Sequence, residues 1–232
     1  KITGNLSINI DKGNNLKKPL MLDFRPSNLC NLKCRMCSPH HSSEIAKEIK
    51  KYYGNYNQTD AVVKKNLGII YVDNFLYEKE NCSKQDIITL DLIHQLKIIK
   101  LLGGEPVIQP EVIKILNNID NHARIQITTN GYNFNNNFIK KIKNKNVHFY
   151  ISLDGIEEVY EYIRYPGKWY VVNQNIIFLL ENNYPVTLKF VVQFYNIFTL
   201  GKILEYCDNL LKKYPNNLKF FFSPVNEEYL HF

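Results

Sequence analysis

The chain is poor in cysteine: it has five among 232 residues, and they are unevenly spaced. Cys82 and Cys207 are each isolated, whereas the other three lie between Cys30 and Cys37. Secreted proteins that rely on disulfides spread an even number of cysteines through a small chain, so this pattern excludes a disulfide framework. Three thiols in one short segment are too close together for useful cross-links, and they indicate a metal site instead.

Long hydrophobic runs are also missing. The longest apolar stretches, such as IIFLL at 176–180, are far shorter than the roughly 20 residues that a transmembrane helix needs. The first residues, KITGNLSINIDKGNN, are polar and lack the apolar segment of a secretory signal. We therefore expect a cytoplasmic protein without a membrane partner.

Acidic residues are the scarcer charge, with 22 Asp and Glu against 29 Lys and Arg, a formal net charge of +7 at pH 7. A basic chain can bind nucleic acid or an anionic substrate. Here the positive residues are spread along the sequence, and their densest group, at 140–146, is typical of the polar end of a helix. The charge leaves RNA and small anionic metabolites open as substrates without selecting either.

Strands and helices alternate along most of the chain. Hydrophobic segments predict six strands, at 19–24, 98–102, 124–129, 147–153, 186–194 and 218–224. Helical patterns lie between successive strands, at 42–51, 87–95, 111–118, 135–143, 157–164, 171–182 and 199–213. Such alternation is typical of parallel βαβ units with right-handed crossovers. Because a complete eight-stranded barrel takes about 250 residues, six units predict an α/β fold, a partial (βα)6 TIM-like barrel of parallel strands.

One core domain is expected over residues 19–232, after a polar lead-in at 1–18. Residues 52–85 are rich in Tyr, Asn and Lys and have no clear period. We expect an irregular insertion there.

Polar or turn-forming residues follow every predicted strand. In chain order they are the cysteine segment, GGEP at 103–106, NG at 130–131, DG at 154–155, Gln193 to Asn196, and Ser223 with Pro224. Turns need Gly and Asn in any fold, but a turn does not need three cysteines. The carboxyl ends of parallel strands carry the active site in α/β folds, so these segments are expected to converge on one rim.

Cys30, Cys34 and Cys37 follow the pattern C-x3-C-x2-C. Three thiolates at this spacing can converge on a common centre, and two kinds of metal fit them. Zinc needs a fourth ligand, which His40 or His41 could supply. An iron–sulfur cluster can take three cysteines and leave one iron open.

The cysteine pattern after the first strand, combined with GGEP after the second, resembles the radical S-adenosylmethionine (SAM) superfamily. Downstream, TTNG at 128–131, SLDG at 152–155 and Arg164 within YIRYPGKW are similar to the radical SAM domain of the SPASM/twitch subgroup. The resemblance extends from about Met21 to Pro224, and 52–85 is its poorest part. It favours an iron–sulfur cluster over zinc.

The resemblance implies a radical SAM enzyme, with a [4Fe–4S] cluster and SAM as cofactors. Cys30, Cys34 and Cys37 would bind three irons, and the amino and carboxylate groups of SAM would chelate the fourth. An electron from a flavodoxin- or ferredoxin-like donor would cleave SAM to methionine and a 5′-deoxyadenosyl radical, which abstracts hydrogen from the substrate.

The resemblance also implies where SAM is held. Gly103 and Gly104 would let the backbone approach its methionyl group, and Glu105 would orient the amino group. Pro106 would fix this turn. Met36 stands where the family commonly has an aromatic residue against adenine, a departure that its polarizable thioether can accommodate.

The remaining implied SAM contacts follow the later strands. Ser152 and Asp154 are expected at the ribose hydroxyls, and Arg164 at the SAM carboxylate. Asn130 is expected to line the same pocket, and Gln193, with Asn196, its far wall. Taken without the resemblance, Asp154-Gly155 is an ordinary turn and Arg164 an ordinary surface ion pair.

SPASM and twitch domains bind auxiliary clusters through further cysteines. The residues after the sixth strand contain none, so we expect the C-terminal auxiliary domain to be absent. The subgroup resemblance implies a peptide or protein substrate, with RNA or a small anionic metabolite as alternatives. A zinc-binding α/β module without catalysis is the alternative from a different class.

Overall fold

The computed structural model describes residues 20–39, 41–53 and 90–224. Its strands are β1 (Met21–Phe24), β2 (Ile98–Leu101), β3 (Arg124–Thr129), β4 (Asn146–Ser152), β5 (Val186–Val192) and β6 (Leu218–Pro224). Its helices are α1 (Ser43–Tyr53), α2 (Leu90–Gln95), α3 (Pro110–Asn118), α4 (Asn136–Ile142), α5 (Glu157–Ile163), α6 (Trp169–Glu181) and α7 (Leu200–Lys213). Short 3₁₀ turns at Pro106–Ile108 and Ile197–Thr199 precede α3 and α7.

The six strands form one parallel sheet in the order β1-β2-β3-β4-β5-β6. Every neighbouring pair is parallel, as in the pairing of Ile99 with Ile125 and of Ile127 with Phe149. The predicted α/β fold, a partial barrel of six parallel strands, is confirmed. Right-handed crossovers between strands in sequential order place the connecting helices on the same side of the sheet.

Alternate strand residues build the core against these helices. Ile99, Ile125, Phe149 and Leu188 are fully buried, and they point to the helical side of their strands. The isolated Cys207 lies on α7 in the same core. The opposite side of each strand carries half-exposed, mostly polar residues, because successive side chains point to opposite faces.

Local sequence sets the helix ends. Asn135 caps α4, its side-chain oxygen accepting from the Phe138 N–H at 2.9 Å. Pro110 occupies the first turn of α3, where its missing N–H costs nothing. Helix α1 begins with Glu44 and ends with lysines, which suits the helix dipole at both ends.

Several element boundaries differ from the sequence prediction by one or two residues, among them the ends of β5 and α1. Strand β5 ends at Val192 and not at 194, because Gln193 begins a turn in which its C=O accepts from the Asn196 N–H at 3.0 Å. Helix α1 continues to Tyr53, two residues into the predicted insertion. The rest of that insertion, the whole lead-in at 1–18, residue 19 of the predicted first strand and residues 87–89 of a predicted helix lie outside the described residues. No described helix is long and apolar enough to cross a membrane.

Candidate active site

The loops at the carboxyl ends of the strands meet on one edge of the sheet. The segment after β1 carries the cysteines, and the loop after β2 fastens to it through a 2.7 Å bond from the Glu105 N–H to the Leu29 C=O. The loop after β3 fastens to it as well, since Asn130 Nδ2 donates to Asn31 Oδ1 at 2.8 Å. An open pocket lined by residues 143–147 and 182–185 lies at the opposite, amino-terminal end of the strands.

The cysteine loop is held on its other side by the end of α5. The Lys33 N–H donates to the Tyr165 C=O at 2.6 Å, and the Arg35 N–H donates to the Ile163 C=O at 2.8 Å. At its far end, Ser42 Oγ donates to the Leu32 C=O at 2.6 Å. These bonds fix the backbone between the first and third cysteines.

The three thiols lie close enough to influence one another. Cys30 is buried, and Cys34 and Cys37 are half-buried. Burial raises the pKa of Cys30 to about 11 and that of Cys37 to about 12, and it raises the pKa of Cys34 as well. The neighbouring cysteines add to the rise at Cys30 and Cys37. Without a metal the thiols are therefore protonated at neutral pH, and binding as thiolates releases those protons.

Gly103 and Gly104 bring the loop after β2 against the segment before the cysteines. Both have positive φ, +85° and +50°, which glycine adopts without strain. A Cβ on Gly104 would lie 2.2 Å from the Leu29 C=O oxygen, and one on Gly103 would lie 3.1 Å from the Ser27 C=O oxygen. The space that a side chain would need is thus filled by residues 25–29. This packing explains both glycines independently of the predicted approach to SAM.

Glu105 is fully buried and already bonded within the protein. Its carboxylate accepts from Thr129 Oγ1 at 2.6 Å, from the Asn130 N–H at 2.7 Å and from the Val107 N–H at 3.2 Å. Burial raises the pKa of Glu105, and these three bonds oppose that rise. A carboxylate has about four acceptor positions, so one remains for a ligand amino group. Its first function in the structure is to join β2 to β3.

Asp154 and Arg164 form a buried ion pair beside the cysteines. Arg164 Nη2 pairs with Asp154 Oδ2, while Arg164 Nη1 lies 3.7 Å from Cys34 Sγ. Asp154 Oδ1 also accepts from the Val191 N–H at 2.8 Å, which ties the loop after β4 to β5. Burial acts to lower the pKa of Arg164, but the charges of Asp154, Cys34 and Tyr160 together outweigh it and the pKa is raised. The guanidinium is therefore charged at any working pH.

Several buried polar atoms on this edge lack a partner among the described residues. They are both side-chain amide atoms of Gln193, Nε of Arg164 and the hydroxyl of Tyr160. Gln193 is fully buried, at 0% exposure. Buried polar groups nearly always have hydrogen-bond partners, so these atoms mark a place where a polar ligand completes the bonding. Asn196 does not share this feature, since it bonds to the Gln193 N–H and to the Asp154 and Val191 carbonyls.

The profile of the radical SAM superfamily matches residues 24–207. The chain belongs to the radical SAM superfamily. That membership carries with it a [4Fe–4S] cluster and SAM as cofactors. A search of curated proteins gave no significant match.

Solved radical SAM structures have the same fold. SuiB of Streptococcus suis bound to S-adenosylmethionine is 14% identical, with a TM-score of 0.50 over 90% of this chain and 51% of that one. Native anSMEcpe with bound AdoMet is 19% identical, with a TM-score of 0.55 over 91% of this chain and 56% of that one. The same protein with AdoMet and the Kp18Cys peptide is 18% identical, with a TM-score of 0.51 over 88% and 51%. The chain thus spans about half the length of the structures it matches.

The residues of this radical SAM chain fit its two cofactors. Cys30, Cys34 and Cys37 supply three sulfur donors, the set that leaves one iron of a cluster open. The unpartnered amide of Gln193 and Nε of Arg164 are suited to the polar atoms of SAM. In the described ranges no group of three or more His, Cys, Asp or Glu, the three cysteines included, has the arrangement that holds a single metal ion, so this finding does not separate zinc from a cluster. His41 is exposed, and His40 lies outside the described residues.

Met36 and Ser152 are near the site without a bond that defines their function. Met36 is half-buried in the turn between the second and third cysteines. Ser152 is half-buried at the end of β4, on the side of the strand opposite the helices. Their expected contacts with adenine and ribose stay predictions.

Sequence reasoning missed three residues that hold the site together. Thr129 bonds Glu105, and Asn31 bonds Asn130. Gln109 is fully buried and reaches the Gly103 C=O and Ser27 Oγ. The only sequence signal for these residues is that each is polar and lies near a recognised motif. That signal does not show which distant residue each one bonds.

Proposed function

We propose that this chain is an enzyme that cleaves SAM reductively at a [4Fe–4S] cluster and abstracts hydrogen from a peptide or protein. Cys34 lies beside the buried Arg164–Asp154 pair, and Asn196 bonds both Asp154 and the backbone of Gln193, whose side-chain amide is unpartnered; this arrangement is the observation that supports the proposal. When bound, the cluster and SAM supply the electron transfer and the 5′-deoxyadenosyl radical that takes the hydrogen atom.

The protein's own residues bind, orient and shield. Cys30, Cys34 and Cys37 hold the irons as thiolates. Arg164 places a permanent positive charge beside Cys34, suited both to that thiolate and to the SAM carboxylate. Gln193, buried with both amide atoms unpartnered, offers a donor and an acceptor to the same ligand.

The loop after β2 completes the site in this proposal. Gly103 and Gly104 present their backbone to the methionyl group, and the remaining acceptor position of Glu105 receives its amino group. Asp154 holds Arg164 in place, and Asn130 holds the cysteine loop through Asn31. Ser152 and Met36 are proposed to contact the ribose and the adenine.

The peptide substrate and the SPASM/twitch subgroup are finer parts of the same proposal. TTNG, SLDG and Arg164 support the subgroup. A peptide is bound in the matching structure of anSMEcpe with Kp18Cys. We propose a flavodoxin- or ferredoxin-like electron donor. The described cysteines are free thiols, which suits a reducing compartment such as the cytoplasm.

The test is SAM cleavage without added substrate. The chain is purified without oxygen, reconstituted with iron and sulfide, and incubated with SAM and dithionite, and 5′-deoxyadenosine is measured. We expect release from the natural chain and from Cys207→Ala, which removes a buried thiol far along the chain on α7, but none from Cys34→Ala. Bound zinc in place of iron, or equal release from Cys34→Ala, would contradict the proposal.

A further inference from the structure

The two faces of the sheet differ sharply in chemistry. The helical face is apolar and buried, whereas the other, which we call the inner face, is polar and partly exposed. The strand registers place the residues of the inner face in rows that run across the strands. One row is Asp23, Lys100, Gln126 and His148, from β1 to β4. A second row is Thr128, Tyr150, Thr187 and Lys219, from β3 to β6. The stacking of His148 on Tyr150, with ring centroids 4.4 Å apart, confirms that alternate residues of β4 share this face.

The inner face carries an excess of positive charge. The six strands contain four cations, namely Lys100, Arg124, Lys189 and Lys219, and one acid, Asp23. All five charges are on the inner face by register and alternation. Asp23 is paired with Arg25 at 2.9 Å, so it does not neutralise the others. None of the four cations has an ion pair or hydrogen bond with another side chain of the described residues.

The cations act on a common point within the sheet. Burial lowers the pKa of His148 on β4, and the charges of Arg124 on β3 and Lys219 on β6 lower it further. His148 Nε2 lies 2.9 Å from Thr187 Oγ1, which holds the ring on this face. Charges on two different strands, β3 and β6, therefore act on one area, and like charges on a partly desolvated surface favour an anionic ligand.

We propose that the inner face binds a substrate peptide through its Asp or Glu side chains. The inference rests on the proposed function and specifies its substrate: a peptide with acidic residues near the reacting position. Lys189 pairs in register with Ser152 at the carboxyl end of β4, close to the cysteine edge. Lys219 lies farther from that edge, in register with Thr187. Together they form a track of cations that leads along the sheet toward the site.

The spacing of the four cations on the inner face favours a peptide over RNA as the ligand. Each cation stands on a different strand, and amide or hydroxyl groups separate them, as Gln126, Thr128 and Thr187 do. Peptide groups and carboxylates are the partners that such mixed donors and acceptors suit. RNA recognition relies on several exposed aromatic rings that stack on successive bases. On the inner face of the described strands Tyr150 already stacks on His148, which leaves Phe221, beside Lys189, as a single exposed ring.

Binding is tested with two fluorescein-labelled octapeptides, one alternating Gly and Glu and one alternating Gly and Gln, by anisotropy with the reconstituted full chain and SAM. We expect the Glu peptide alone to bind, more weakly at high salt. The double variant Lys189→Gln/Lys219→Gln should weaken binding about tenfold, the equivalent of roughly 1.4 kcal/mol. Lys189→Arg/Lys219→Arg retains the charge and should bind normally. Lys202→Gln/Lys212→Gln makes the same charge change on α7 and should have no effect.

Equal binding of both peptides, or of both lysine-to-glutamine double variants, would overturn the inference. So would tighter binding of a single-stranded uridine 12-mer that the inner-face variant abolishes, since it would assign the face to RNA. SAM cleavage is measured on the same preparation. Cleavage without Glu-peptide binding refutes this inference alone, whereas a failure of the wild-type chain to cleave SAM refutes the proposed function on which it rests.

Discussion

Arg164 links Cys34 to Asp154: its Nη1 lies 3.7 Å from Cys34 Sγ, and its Nη2 pairs with the Asp154 carboxylate. Arg164 is buried, at 8% exposure, and its guanidinium is permanently charged. A residue from the end of α5 thus sets the electrostatic environment of a thiol in the loop after β1. Charges and hydrogen bonds beside ligand sulfurs are among the factors that set the potential of an iron–sulfur cluster.

Replacing Arg164 is expected to make the cluster harder to reduce. In Arg164→Gln the positive charge that stabilises the extra electron is lost, so the midpoint potential in an EPR redox titration should fall. Arg164→Lys retains the charge and should fall less. The single Gln variant also leaves Asp154 buried and unpaired, at a cost of about 3–5 kcal/mol, so Arg164→Gln/Asp154→Asn serves as a folding control in which both charges are lost and the potential should change less. An unchanged potential in an intact cluster would show that Arg164 does not act on Cys34.

Gly104→Ala is expected to destabilise the metal-free chain by at least about 2 kcal/mol. Its φ of +50° is strained for alanine, and the new Cβ would lie 2.2 Å from the Leu29 C=O oxygen. Urea denaturation followed by circular dichroism measures the change. Gly201→Ala on α7 is the control: nothing lies within 4 Å of its Cβ position, and it should be neutral or stabilising by about 0.5–1 kcal/mol. Equal effects would mean that the packing of Gly104 on Leu29 is not tight.

Glu105→Gln is expected to lower the free energy of unfolding by about 1–3 kcal/mol. The carboxylate accepts three hydrogen bonds, from Thr129, Val107 and Asn130, and an amide would turn a donor toward one of these donors. Glu205→Gln, an exposed position on α7, should change it by less than about 0.5 kcal/mol. SAM affinity, measured on reconstituted protein, should fall as well. Normal stability with weak SAM binding would assign Glu105 to the ligand alone.

Lys219→Gln is expected to raise the pKa of His148. Burial and two cations lower that pKa below its ordinary 6.5, so removing one cation makes protonation easier. NMR titration of the imidazole in the metal-free chain measures the shift, with Lys202→Gln as the control. The lowered pKa also means that His148 costs stability as the pH falls through 6.5, since the unfolded chain takes up the proton more readily. The variant should reduce this loss. An unchanged pKa of His148 would show that the charge of Lys219 does not act on it.

The fold could be predicted because its determinants are local. Alternating apolar residues such as Ile125 and Ile127 indicate that one side of a strand is buried. Asn135 indicates the start of a helix because it caps the N–H of a residue only three positions later. The partners at the site could not be predicted in this way. Asn130 bonds Asn31, 99 positions away. The carboxylate of Glu105 accepts hydrogen bonds from Thr129, at the end of β3, and from the Asn130 N–H. A sequence pattern shows that a residue is polar near a strand end, but only the packing of distant loops decides which donor it meets.

The bonds that hold the cysteine loop have a consequence for how the protein acquires its metal. Lys33, Arg35 and Leu29 fasten the loop to α5 and to the loop after β2 through backbone groups, without help from the thiols. In small zinc domains the metal drives folding, and its removal unfolds the chain. Here the loop has backbone bonds of its own in addition to any bond through a metal. Oxidative loss of the cluster should therefore leave a folded chain. That chain could bind a new cluster, and no new protein would have to be synthesised.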